Sequence, residues 1–329
     1  MQGFNLNIYV EAWPLANSFT ISRGTRTEAQ VVVAELSDGK NKGRGECLPY
    51  ARYGETIESV VSALENTRGA LSEGLDRYGV QAVLGAGAAR NALDCAFWDF
   101  EAKKSRKPAY VLAGFSSLHP LDIFYTVSLD DPEKMAVEAK RASILWPRLK
   151  IKLGAPGDAE RIIAVRAAVP DAVIIADANE GWSLENFDEN MDACNRAGIV
   201  FVEQPLRAGS DDVLAYTPRK VPVCADESVH DRHTLPALKG KYDMVNIKLD
   251  KTGGLTEALA MAEEAKNMGF SVMAGSMVST SLAIAPAVLL AQKADFADLD
   301  GAMLLARDRP HRLFYGKGRV GLPEPRLWG

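Results

Sequence analysis

Beyond Pro120 the chain alternates short apolar runs with amphipathic stretches. The runs lie near 122–128, 148–153, 172–177, 199–203, 221–225, 243–248, 270–275 and 296–299. Helical spacing fills stretches between them, such as 158–168 and 254–268. Strands that alternate with helices predict a parallel sheet, and eight of them predict a sheet closed as a barrel. The first part of the chain has a different rhythm. Residues 5–11 and 28–36 read as strands, the second ending at the turn Ser37-Asp38-Gly39, and Gly43 to Cys47 begins a third. From about 55 to 114 the pattern is helical, with Ala89, Leu93, Phe97 and Phe100 on one face. A small sheet followed by a helical layer predicts an α+β domain over the first 115 or so residues. The last residues, turn-rich with Phe314-Tyr315-Gly316-Lys317-Gly318, are expected to pack back on that domain.

Five charged residues fall in phase with the predicted strand ends. Lys152, Asp177, Glu203, Asp226 and Lys248 follow one another at intervals of 22 to 26 residues. That is close to one strand-plus-helix unit of a barrel with roughly 250 residues in eight units. Alternate side chains of a strand share a face, so Lys150 goes with Lys152, Phe201 with Glu203, Cys224 with Asp226, and Asn246 with Lys248. A charge facing the outer helices would be desolvated and unpaired, at a cost of several kcal/mol. The five are therefore expected to point inward, at the C-terminal mouth where barrel enzymes build active sites. Scattered salt bridges or rim charges are the alternative, and the shared phase disfavours it.

Asp177, Glu203 and Asp226 offer hard oxygen ligands, which suit Mg²⁺ or Mn²⁺ better than zinc. A divalent ion there can bind a substrate carboxylate and stabilise the enediolate that forms when the neighbouring carbon loses its proton. A neutral lysine can take that proton. Free lysine titrates near about 10.4, and the dication together with Lys150 is expected to push Lys152 downward. Lys150 can also meet a substrate carboxylate oxygen. With Lys152 on one face and Lys248 on the other, a proton can leave one side and return on the other, which inverts the stereocentre. One working lysine would suit elimination or cycloisomerisation equally well.

Bulk composition narrows the classes. The chain has 329 residues, 47% hydrophobic and 25% charged, with net charge −5 and pI about 5.6. Nothing in that balance favours a nucleic acid or an anionic membrane as partner. No apolar run reaches the length of a transmembrane helix, and the opening Met1-Gln2-Gly3-Phe4-Asn5 has no basic region followed by an apolar core, so no signal peptide is expected. Cys47, Cys95, Cys194 and Cys224 are far apart and form no C-x-x-C, so they read as buried thiols in a reducing cytoplasm. His230 and His233 form H-x-x-H without a cysteine partner nearby and read as surface or helix-start residues. Gly85-Ala86-Gly87-Ala88-Ala89-Arg90 and Gly43-Arg44-Gly45 both miss the sixth glycine of a dinucleotide fingerprint.

At this point a resemblance emerges. Lys150-Ile151-Lys152, Asp177-Ala178-Asn179-Glu180-Gly181-Trp182, Glu203-Gln204-Pro205, Ala225-Asp226-Glu227-Ser228 and Asn246-Ile247-Lys248-Leu249-Asp250-Lys251-Thr252-Gly253-Gly254 together resemble the enolase superfamily, muconate-lactonising subgroup. Lysine bases with Mg²⁺ belong to that superfamily's chemistry. The resemblance covers essentially the whole chain. It implies an α/β fold, a modified TIM barrel of (β/α)7β form with an N-terminal α+β capping domain. The cap would span 1–116, completed by about 305–329, and the barrel 117–304. It also implies Lys152 and Lys248 as catalytic residues, and Asp177, Glu203 and Asp226 as ligands of one Mg²⁺ per subunit. Asn179, Glu227 and Asp250 would stand behind them.

A narrower match is to the dipeptide epimerases of this superfamily, including those acting on L-Ala-D/L-Glu. Asp298-Leu299-Asp300-Gly301 resembles their D-x-D, which binds the α-ammonium of a dipeptide, and two carboxylates are suitable acceptors for an amine. The segments Glu11 to Leu15, Ser22 to Ala29 and Gly45 to Glu55 also look like theirs. By that likeness Arg26 would meet the side-chain carboxylate of glutamate, a group that arginine can grip bidentately. Lys150, Asp298, Asp300 and Tyr53 would contact substrate, and Arg26, Tyr50 and Tyr53 would lie over the mouth as lids. Residues 274–281 would shape the pocket. The implied activity is a cytoplasmic, Mg²⁺-dependent L-Ala-D/L-Glu epimerase, inverting the glutamyl α-carbon in murein peptide degradation. The likeness allows a homo-oligomer. Alternatives on the same scaffold are a muconate cycloisomerase, an o-succinylbenzoate synthase or an N-acylamino-acid racemase. A non-catalytic binding barrel is the reading from another class.

Overall fold

The structure, a computed structural model, describes residues 3–329. Strands β1 (Asn5–Ile21), β2 (Gly24–Ser37) and β3 (Lys42–Cys47) form an antiparallel sheet in that order. The β1–β2 hairpin is much longer than the runs 5–11 and 28–36 suggest. It pairs from Asn5↔Ser37 to Ile21↔Gly24, with a register shift between Pro14 and Phe19. Two features conceal it in the sequence. Pro14 reads as a strand breaker, yet on an edge strand its missing N–H costs no ladder bond. The stretch after it is largely exposed, so no apolar face imposes alternation.

Helices at Ile57–Glu65, Arg68–Ser72, Arg77–Val83, Ala88–Ser105 and Ala109–Leu112 fill the predicted helical region. The Ala88–Ser105 helix is buried along most of its length and lies against β3. Glycine permits that approach. A Cβ at Gly43 would fall 2.2 Å from Ala96 O, and one at Gly45 would fall 2.1 Å from Ala92 O.

The barrel follows. Strand β4 (Leu121–Asp122) joins a small sheet with β13 (Tyr315–Gly316) and β14 (Arg319–Val320). Strands β5 (Tyr125–Val127), β6 (Arg148–Lys152), β7 (Val173–Asp177), β8 (Val202–Glu203), β9 (Val223–Ala225), β10 (Met244–Lys248), β11 (Ser271–Gly275) and β12 (Phe296–Asp298) lie side by side in sequence order. All the pairings are parallel. Phe124 N–H donates to Ala297 O at 3.1 Å across the seam, so the barrel is nearly closed. The predicted run 122–128 thus serves two sheets. The runs 199–203 and 221–225 shorten, and Pro222, which has no N–H, interrupts the ladder there. The connections beside β9 carry only one-turn 3-10 segments and the helix Leu235–Leu238, where fuller helices stand elsewhere.

The strands separate two apolar layers by parity. Leu149, Ile151, Ile174, Ala176, Val245 and Ile247 face the outer helices. Phe124, Ile175, Phe201, Cys224, Met244 and Met273 form a separate cluster with Phe296. Ile175, Phe201 and Cys224 each stand two positions before one of the ring carboxylates, so this cluster lies within the barrel beneath them. Among the described residues no helix is long and apolar enough to cross a membrane.

Side chains of the N-terminal domain reach the barrel through specific bonds. Arg90 Nη2 donates to Thr252 O at 2.6 Å, and Asn91 Nδ2 to Asp250 Oδ1 at 2.8 Å. Near the end of the chain, Trp328 Nε1 donates to Cys95 O at 3.0 Å.

The close approach at β3 yields a stability prediction. Gly45→Ala should lower stability by about 1–3 kcal/mol or more, because the obstructing atoms are helix backbone. Gly69→Ala, a helical position with nothing within 4 Å of the new Cβ, should instead raise it by about 0.5–1 kcal/mol. Urea midpoints for both variants test this, and an unchanged midpoint for Gly45→Ala would contradict the packing argument.

Candidate active site

The ring forms because strand register aligns the strand ends. Lys152 is opposite Asp177 and Asp177 is opposite Glu203 in the parallel ladder, while Lys248 is opposite Gly275 and Gly275 opposite Asp298. Asp226 is the first residue beyond β9. Lys150, Lys152, Asp177, Glu203, Asp226, Lys248, Asp298 and Asp300 are all buried.

Lys150 sits at the centre. Its ammonium lies 2.7 Å from Asp298 Oδ2, 2.6 Å from Glu203 Oε2 and 3.0 Å from Asp177 Oδ2. The Glu203 approach is an ion contact whose angle does not make a hydrogen bond. Lys152 Nζ donates to Asp177 Oδ2 at 2.7 Å, and Lys248 Nζ donates to Asp226 Oδ2 at 2.7 Å. Lys251, which sequence reasoning gave no role, donates to Asp226 Oδ1 at 2.6 Å and to two backbone carbonyls.

These contacts set the charge states. Burial alone would raise Asp177, but Lys150 and Lys152 outweigh it and hold the carboxyl below its usual range. Asp226 is likewise lowered, with Lys248 and Lys251 overcoming burial. Glu203 is pushed up to about 7 by burial and by the adjacent Asp177. Burial would lower Lys150 and Lys248, yet the carboxylates around them raise both.

The donor set suits a hard divalent cation. Asp177 and Glu203 end adjacent strands in register and already share one positive charge, the Lys150 ammonium. Their mutual repulsion raises Glu203, and a bound cation relieves such repulsion. As the side chains stand, no three acidic, histidine or cysteine groups among the described residues converge tightly enough to form a cation cage. Lysine ammonium groups stand among the carboxylates instead, Lys150 between Asp177, Glu203 and Asp298, and Lys248 and Lys251 on Asp226.

Above the ring lies a cavity of about 430 Å³. Lys150, Lys152, Asp226, Lys248, Asp298 and Asp300 reach its wall from the barrel, and Arg26 and Tyr53 from the cap. The Arg26 guanidinium lies 4.9 Å from the centre of the Tyr50 ring. Tyr53 packs edge-on against His230 at 4.9 Å, whereas His233 is exposed. Asp300 Oδ2 accepts from Thr126 N at 2.7 Å, and burial together with Asp298 pushes its carboxyl up to about 7. Asp298 Oδ1 is buried with no hydrogen-bond partner. From the segment 274–281, Ser276, Met277 and Val278 line the cavity.

The supporting residues are placed differently from one another. Asn179 lines the cavity, and its backbone carbonyl accepts from Ser22 Oγ at 2.8 Å and Arg23 Nη1 at 3.0 Å. Glu227 lies 2.7 Å from Arg23 Nη2, and burial followed by Asp226 pushes it up to about 7. Asp250 Oδ1 accepts from Leu48 N and Asn91 Nδ2, both in the N-terminal domain. Several structural participants had no signal of their own in the sequence. Arg52 forks onto Glu180 at 2.7 and 2.6 Å, fastening the cap to the loop after β7. Gln204 Oε1 accepts from Asp226 N at 2.9 Å and so fixes the start of that loop. Asn246 Nδ2 donates to Glu203 Oε1 at 2.7 Å, and Gly275 on the neighbouring strand leaves room for the amide, since a Cβ there would fall 2.3 Å from Asn246 Oδ1. Asn179, Glu180 and Gln204 have φ of 45°, 66° and 36°, so the loops after β7 and β8 carry left-handed backbone at non-glycine positions.

Comparison with known proteins bears on this geometry. Residues 4–114 match the model of the mandelate racemase / muconate lactonizing enzyme N-terminal domain, and residues 134–324 match the enolase C-terminal domain-like model. L-Ala-D/L-Glu epimerase of Escherichia coli (strain K12) is 46% identical over 321 residues, covering 96% of this chain and 99% of that protein. N-acetyl-D-glutamate racemase of a Pseudoalteromonas species is 41% identical over 302 residues, covering 91% and 95%. A crystal structure of an Agrobacterium tumefaciens enolase family member with homology to dipeptide epimerases, holding sodium and L-Ala-L-Glu, superposes with a TM-score of 0.97. It is 49% identical, and the match covers 99% of this chain and 100% of that one. With both domains matched and the barrel in place, the chain belongs to the enolase superfamily and is an isomerase acting on amino acid derivatives.

Proposed function

We propose that the chain is a Mg²⁺-dependent dipeptide epimerase that interconverts L-Ala-L-Glu and L-Ala-D-Glu. The observation that carries this reading is the placement of two lysines. Lys152 ends β6 and Lys248 ends β10, four strands apart in an eight-stranded sheet, so they face each other across the mouth. A substrate carbon between them has one lysine on each face.

Asp177, Glu203 and Asp226 would hold the cation. When bound, Mg²⁺ would supply positive charge to the substrate carboxylate, where charge develops on loss of the α-proton. The chain's own groups perform the proton transfers. One lysine, as the neutral amine, takes the glutamyl α-proton, and the C–H electron pair passes into the conjugated carboxylate as an enediolate. The opposite lysine, as ammonium, returns a proton to the other face and inverts the centre. Lys150 adds a fixed positive charge between Asp177, Glu203 and Asp298, beside the place where the substrate carboxylate would lie. The unpaired Asp298 Oδ1 and the neighbouring Asp300 suit an α-ammonium. Arg26, which lines the same cavity from the cap, suits the γ-carboxylate of glutamate. Tyr50 and Tyr53 help close the cavity and keep water out. A place in murein peptide degradation follows from the substrate. Four free, buried cysteines agree with a reducing cytoplasm.

The 41% identity to an N-acetyl-D-glutamate racemase keeps an N-acylamino-acid racemase as the second reading. Both substrates carry an acylated glutamate, and they differ in the free amine. The Asp298 and Asp300 pair therefore separates the two.

Three outcomes test the reading. Proton NMR of L-Ala-L-Glu in D₂O should show the glutamyl α-proton signal disappearing and the diastereomer accumulating. Chelation should stop both changes and added Mg²⁺ should restore them. Persistence in excess chelator would refute the metal assignment. Lys152→Ala and Lys248→Ala should each lower epimerisation by about 10²–10⁴-fold or more. Each should still exchange the proton of one stereoisomer, and exchange of both isomers at the parental rate in either variant would remove that lysine from the mechanism. The substitution Asp300→Asn, which leaves the Lys150–Asp298 contact in place, should lower kcat/KM for L-Ala-L-Glu by about 10–100-fold, with N-acetyl-L-glutamate little affected. Preference of the parent protein for N-acetylglutamate would establish the second reading instead.

A further inference from the structure

A second cavity adjoins the first. It measures about 580 Å³ and lies between the β1 segment 16–19, strand β5 and the helix Pro132–Ser143. Its charges satisfy one another. Lys134 Nζ donates to Asp130 at 2.9 Å, Arg141 Nη2 donates to Glu138 at 2.5 Å, and Tyr125 OH donates to Glu138 at 3.1 Å. The cavity thus offers room more than a charged binding centre of its own. Three residues line both cavities and separate them: Phe19, Thr126 and Leu304.

This partition surrounds Asp300. Thr126 N donates to Asp300 Oδ2 at 2.7 Å. Leu304 ends the 3-10 turn Gly301–Leu304, for which Asp300 is the cap residue. Phe19 comes from the hairpin, and its ring centre is 5.9 Å from Lys152 Nζ. In any amino acid the first side-chain carbon is two bonds from the ammonium nitrogen. An ammonium held at Asp298 and Asp300 therefore carries its side chain against this wall.

We infer that the partition of Phe19, Thr126 and Leu304 selects the N-terminal residue of the substrate by size, and that Leu304 sets the limit. This rests on the dipeptide reading above. The wall admits a methyl group and turns away larger apolar side chains. Truncating Leu304 joins the two cavities and extends the substrate class to dipeptides with a bulky apolar N-terminal residue followed by glutamate. Leu304 is only partly buried, so its truncation leaves the core intact.

The test compares kcat/KM for L-Leu-L-Glu with kcat/KM for L-Ala-L-Glu in the parent and two variants, all Mg²⁺-loaded. A single methylene in an apolar pocket is worth roughly 10–200-fold in discrimination. In Leu304→Ala the Leu/Ala ratio should rise by about 10-fold or more, and in Leu304→Phe it should fall below the parent's. An unchanged ratio in Leu304→Ala, with L-Ala-L-Glu still turned over, overturns the inference. If Leu304→Ala does not fold, Phe19→Val opens the same wall from the hairpin side and is read the same way. A parent that fails to epimerise L-Ala-L-Glu defeats the proposed function instead, so the two failures remain distinct.

Discussion

The Lys150 ammonium is the charge around which the mouth of the barrel is organised. It is almost fully buried and lies within 3.0 Å of carboxylates from β7, β8 and β12. Taking such a charge out of water costs several kcal/mol, and its partners must return that cost through close contacts. The same holds for Asp177, Glu203 and Asp226, which no water-exposed surface screens. Buried ion networks of this kind are often no more stabilising than well-packed apolar side chains of equal volume. Stability therefore does not account for this one. Groups held at fixed positions need no reorganisation when charge moves nearby, which fits the proposed proton transfers.

Holding these groups still requires support from below and from the side. Below, Ile175, Phe201, Cys224 and Met273 fill the barrel and deny the charges any path downward. At the side, Gln204, Asn246 and Lys251 use hydrogen bonds to fix Asp226 and Glu203. Gly275 makes that possible by omission, since any side chain there would occupy the space of the Asn246 amide. The left-handed backbone at Asn179, Glu180 and Gln204 adds strain next to two of the carboxylates. Strain of about 1–3 kcal/mol per residue persists only where surrounding contacts over-determine the conformation. The bonds from Ser22, Arg23 and Arg52 to Asn179 and Glu180 provide that over-determination at the first loop.

The ring was legible in the sequence because two periods coincide, two residues along a strand and about 25 along the barrel. The first is fixed by backbone geometry, and the second holds because successive strand-and-connection units of this chain have similar lengths. The hairpin was not legible, because Pro14 and an exposed strand give no alternation to read. The central position of Lys150 was half legible. Parity put it on the same face as Lys152, but which of the two sits between the carboxylates depends on depth in the barrel. Asp250 shows where parity stops applying. It is two residues after Lys248 and would share its face in a strand, but a helix begins at Leu249 and turns it toward Leu48 and Asn91. Arg23, Arg52 and Glu180 pair across more than 120 residues of chain, and no local pattern announces such pairs.

Chemistry and selection occupy different parts of this fold. Proton transfer is assigned to strand ends, where a change of side chain disturbs the packed barrel. Selection is assigned to the β1–β2 hairpin and the 301–304 turn, which border the cavity from above and can vary without touching the ladder. The two are nevertheless coupled. The hairpin that carries Phe19 and Arg26 is fastened through Ser22 and Arg23 to Asn179 and Glu180, just beyond Asp177. A displacement of the hairpin therefore passes through these bonds to the loop beyond Asp177. Hydrogen bonds to neutral partners contribute about 0.5–1.5 kcal/mol each, and those to charged groups about 1.5–3. The few that fasten the hairpin thus tie it firmly to the loop beyond Asp177. Selection at the rim and the setting of the carboxylates are therefore not independent, because one set of bonds serves both.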